Sequence, residues 1–74
     1  MIKLIFNETK VRSDVRFYIE IYKSEGESNP TYAYQLRIVE PEDKWSSERQ
    51  SDFDKLIDVF LIIHNRILEW TRNK

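Results

Sequence analysis

Apolar and polar residues alternate along the first half of the chain. Ile2, Leu4 and Phe6 take every second position of the opening segment. Val15, Phe17, Ile19 and Ile21 do the same against Arg16, Tyr18, Glu20 and Tyr22, and Tyr32, Tyr34, Leu36 and Ile38 against Ala33, Gln35 and Arg37. A period of two marks a half-buried strand, so strands are predicted over about 1–7, 15–23 and 31–39. The polar stretch 7–14 holds the first turn, and Gly26 and Pro30 break the pattern within 24–30. Pro41 ends the third strand, because proline has no N–H to give to a ladder.

Beyond a polar connector carrying Trp45 the period lengthens. From 51 to 72 the apolar residues recur at helical spacing. Ser47 and Ser51 each precede by three residues a side chain able to reach back, as at a helix N-terminus. The expected fold is α+β: a three-stranded antiparallel meander, then one long C-terminal helix packed on one face, in the order β-β-β-α. All of it fits a single small domain, residues 1–74.

The helix carries more apolar surface than a sheet needs. On a helical wheel its apolar arc spans about 200°, against roughly 100° for a helix lying on one sheet. Val59, Leu61, Ile62, Leu68 and Trp70 make up the surplus. They are the expected interface of a two-fold homodimer, helix against helix. His64 lies within the arc with no second polar group on that face, and reads as a core or interface histidine.

Composition narrows the chemistry. The 74 residues include no cysteine, one histidine and one glycine. Disulfide frames, zinc fingers and Gly-rich phosphate loops are thereby excluded. There is no plausible nucleophile–base pair, so no catalytic, cofactor-binding or metal-binding residue is expected, and no small-molecule substrate. Asp54, Asp58, Asn65 and Glu69 form a strip on the polar side of the helix, flanked by Lys55 and Arg66, and read as a solvated face. No run approaches the ~20 apolar residues of a membrane span, and the N-terminus does not read as a signal peptide. A cytoplasmic protein without membrane contact is the expectation. A chain this short, with no metal or disulfide, gains stability most readily by association.

Charge adds one more surface. Twelve cations against thirteen acids give a net charge of −1, which leaves the partner open. The outward sheet face is expected to show Lys3, Arg16, Tyr18, Tyr22, Gln35 and Arg37. Aromatics that stack on bases beside cations that meet phosphates are the equipment of sheet-type single-strand binders. In outline the chain resembles single-stranded-DNA-binding proteins in which a small sheet, backed by one helix, dimerises through that helix. A local string at 49–56, RQSDFDKL, also resembles the R-Y-S-D-F-x-x-L core of phosphoinositide-binding PX domains, where it opens a helix. Glu48 stands where that family has its lipid-contacting arginine, and Gln50 replaces the tyrosine, so no lipid-binding residue carries over. The function expected is a small non-enzymatic protein-binding module: a homodimeric adaptor or inhibitor, such as a phage-type accessory protein, acting through its sheet face or edge. The alternative is a single-stranded nucleic-acid-binding protein using the basic, aromatic sheet face.

Overall fold

The computed structural model describes residues 1–26 and 29–72. Four strands pair antiparallel in chain order: β1 (Ile2–Arg12), β2 (Val15–Ser24), β3 (Thr31–Val39) and β4 (Trp45–Phe53). One helix follows, α1 (Leu56–Arg72). The three-strand expectation is thus corrected to four, and the helix opens at 56 instead of 51. The segment read as connector and helix start is a strand. Its only large apolar residues are Trp45 and Phe53, because it forms an edge of the sheet and little of it is buried. Of the 24–30 turn, Glu27 and Ser28 lie outside the described residues, as do the last two residues of the expected domain.

The first turn is also tighter than expected. β1 runs to Arg12, which pairs with Val15, leaving Ser13 and Asp14 as a two-residue hairpin turn. Ser13 takes a φ of 54°, the positive value that lets such a turn match the right-handed strand twist. The β3–β4 turn contains a short 3-10 turn, Pro41–Asp43, closed by the Glu40 amide donating to the Lys44 carbonyl at 2.7 Å.

Two bulges decide which side chains reach which face. In β1, Leu4 stands opposite Tyr22 but Phe6 stands opposite Ile21, so the face flips at Ile5. Phe6 turns toward the helix, and Ile2 and Leu4 turn away from it. Lys3, opposite Lys23, comes onto the helix side. Its expected place on the outward face is therefore corrected. In β4, Ser51 and Asp52 together oppose Ala33, and Asp52 carries the positive φ of 68° that brings Phe53 back to the core.

The core is built by the two inner strands and the helix. Phe17, Ile19 and Ile21 of β2, Tyr34 and Leu36 of β3, and Val59, Ile63 and Ile67 of α1 are buried. The helix residues follow an i, i+4, i+8 spacing and so form one stripe. A polar link fixes the flank on the β4 side. The Tyr34 hydroxyl donates to Glu48, and the Arg66 guanidinium lies 2.9 Å from the same carboxylate and 3.1 Å from Glu69. Burial first, then the hydrogen bond to Glu48, holds the Tyr34 phenol well above its ordinary value of 10.0.

The folded chain keeps this proton where the unfolded chain gives it up, so the associated stability is complete below pH 10.0 and drains away as pH rises above it. Tyr34→Phe should cost about 1–2 kcal/mol at neutral pH and flatten the loss above pH 10, as urea melts across pH will show. Asp52→Val should cost about 1–2 kcal/mol by forcing a β-branched residue into left-handed backbone, whereas Asp52→Gly should cost nothing in the same melts.

Candidate interaction surface

With one helix on one side, the opposite face of the sheet meets solvent. Strand alternation places Arg16, Tyr18, Glu20 and Tyr22 there from β2, and Ala33, Gln35, Arg37 and Val39 from β3. Of the six residues expected on this face, Arg16, Tyr18, Tyr22, Gln35 and Arg37 lie on it, and Lys3 does not. β4 adds two that the pattern of the chain concealed: Trp45 opposite Val39 and Arg49 opposite Gln35. They were concealed because neither belongs to an alternating run.

The rows across the face are ordered by register. Arg16, Val39 and Trp45 form one row, Tyr18, Arg37 and Ser47 the next, and Glu20, Gln35 and Arg49 a third. The Arg37 guanidinium carbon sits 5.0 Å from the centre of the Tyr18 ring, a cation–π stack in which the arginine lies over the tyrosine. A shallow hollow of about 440 Å³ opens between Asn7, Thr9, Tyr18, Glu20, Gln35 and Arg37. Partial burial, then the Glu20 carboxylate, raises the Tyr22 phenol above its ordinary value. Three arginines against one glutamate leave the face positive, though the chain as a whole is not. Ile2, Leu4, Val11 and Trp45 add exposed apolar area at its margins.

The helix distributes its expected interface residues differently. Val59 is fully buried, and Ile62 and Trp70 pack against the core, so these three are committed within the chain. Leu61 and Leu68 are exposed, together with Ile57 and Phe60. The buried stripe Val59, Ile63 and Ile67 sets the phase of the helix, with Val59 turned inward and Leu61 and Leu68 turned out. His64 is exposed rather than in the core. It lines a groove of about 440 Å³ between α1 and β1, with Phe6, Glu8, Lys10 and Arg12 on the strand side and Leu61 and Leu68 on the helix side.

Among the described residues no cluster of three acidic or histidine side chains could hold a metal ion. No described helix is long and apolar enough to cross a membrane. No protein-family model, curated protein or solved structure matches the chain. The string at 49–56 falls mostly on β4 and the turn before α1, and only its last residue, Leu56, belongs to the helix.

Because Arg37 lies on the surface, its pairing with Tyr18 contributes little to the fold. Arg37→Ala should change unfolding free energy by less than about 1 kcal/mol, a thermal-melt measurement that separates any binding defect from instability.

Proposed function

We propose that the chain is a non-enzymatic binding module that takes a protein partner on the open face of its sheet. One observation carries this reading. Ile2, Leu4, Val11 and Trp45 are 73, 45, 55 and 65% exposed, all on the face away from the helix, beside three arginines and two tyrosines. Tyr, Trp and Arg are the residues that protein interfaces favour, and exposed aliphatic groups gain by being covered. The matching partner surface is apolar at its centre and acidic at its rim. Such a module acts as an adaptor or an inhibitor, by occupying a surface and not by changing a bond.

Single-stranded nucleic acid is the second reading, and the Tyr18–Arg37 stack with Arg49 and Trp45 nearby favours it. Stacked bases and phosphates would find both kinds of group within one face. Salt separates the two. Binding to an oligothymidine should fall steeply between roughly 50 and 200 mM salt if phosphates are the ligand, because counterions are released. A protein partner captured by the immobilised chain should survive that change, and should be lost with Trp45→Ala. Retention of the partner by Trp45→Ala and by Arg49→Ala would place the contact elsewhere.

A further inference from the structure

β1 is an edge strand: it bonds to β2 on one side, and its other side carries backbone groups that no neighbouring strand takes. Beyond the bulge at Ile5 it runs regularly from Phe6 to Arg12, the whole segment exposed or half-buried. Its helix-side residues are Phe6, Glu8, Lys10 and Arg12, opposite Ile21, Ile19, Phe17 and Val15. Among the described residues neither the Glu8 nor the Lys10 side chain has an ion-pair partner. We propose that β1 pairs antiparallel with β1 of a second copy about Thr9, joining two four-stranded sheets into one of eight strands.

Charge selects both the occupant and the register. Inward charges on an edge ordinarily repel a second edge. Here their order makes them complementary to themselves. Centring the pair on Thr9 sets Glu8 opposite the other copy's Lys10, twice by symmetry, and sets Phe6 opposite its Arg12, also twice. Centring on Glu8 or on Lys10 would oppose two like charges at the axis, and centring on Val11 would oppose Lys10 to Arg12. Directly opposed unlike charges stabilise a strand pair, and like charges destabilise it. A two-fold contact requires such self-complementarity, and only the Thr9 register supplies it without a clash of charge. Joined this way, the two outward faces become one continuous surface.

The test is a charge swap read by solution mass at low ionic strength, where screening is weak. The wild-type chain should give twice the 9.1 kDa chain mass as concentration rises. Glu8→Lys and Lys10→Glu should each raise the dissociation constant on the order of 10-fold, since each turns two attractive pairs into two repulsive ones. Their 1:1 mixture should re-form a dimer, and the double variant Glu8→Lys/Lys10→Glu should recover wild-type affinity. Leu61→Glu should leave the dimer intact. A wild-type chain that stays monomeric up to about 1 mM, single variants that dimerise as well as wild type, or a mixture that fails to recover would each overturn the proposal. So would a dimer split by Leu61→Glu but not by the charge changes, which would place the contact on the helix. Unchanged circular dichroism of each variant shows that the fold is retained.

Discussion

A single α-helix with its side chains is about 10 Å wide, whereas four hydrogen-bonded strands span roughly 14 Å from first axis to last. That mismatch governs the rest of the molecule. One helix can seal two strands, and here it covers β2 and β3, whose inward residues from Val15 to Ile21 and from Tyr34 to Ile38 are buried and, the Tyr34 hydroxyl aside, apolar. The edge strands cannot rely on the helix, and apart from Phe6 and Phe53 their inward positions are accordingly polar: Glu8, Lys10 and Arg12 on β1, Ser46, Glu48 and Gln50 on β4. They belong to the sheet through backbone hydrogen bonds more than through burial.

The two edges are finished differently. On the β4 side, Glu48 receives both the Tyr34 hydroxyl and Arg66, so the helix flank is tied down by a polar link. On the β1 side the Phe6 and Phe60 rings meet edge to face at 5.3 Å. The groove between α1 and β1 is lined along this flank by residues such as Lys10 and Leu68. The helix therefore sits off-centre, and that offset determines which of its apolar residues are buried.

This arrangement explains what the residue pattern could and could not reveal. β2 and β3 are legible because one face of each is buried and the other solvated, which writes a period of two into the chain. β4 is not legible, because a strand exposed on both sides has no reason to alternate; its serines and glutamate imitate a helix cap instead. The first six residues mislead in another way. Ile2, Leu4 and Phe6 do alternate, but the bulge at Ile5 divides them between faces and carries Lys3 with the helix side. On the outward surface, Arg16, Tyr18, Tyr22, Gln35 and Arg37 follow from alternation alone. Trp45 and Arg49 required the fourth strand, and the exposed positions of Leu61 and Leu68 follow from which stripe of the helix, Val59, Ile63 and Ile67, meets the sheet.

Chain order carries a consequence for how the protein reaches this state. Each strand pairs with the strand that follows it in sequence, so the sheet can zip from its turns with short loop closures, a connectivity associated with rapid folding. The cover for its apolar side is the last element of the described chain. During synthesis Phe17, Ile21 and Leu36 are consequently made, and their hairpins able to close, before Val59, Ile63 and Ile67 leave the ribosome. The interval between hairpin and helix is the period in which this small protein is most exposed to aggregation, and it lasts about as long as translating some twenty residues, one to a few seconds at ordinary rates.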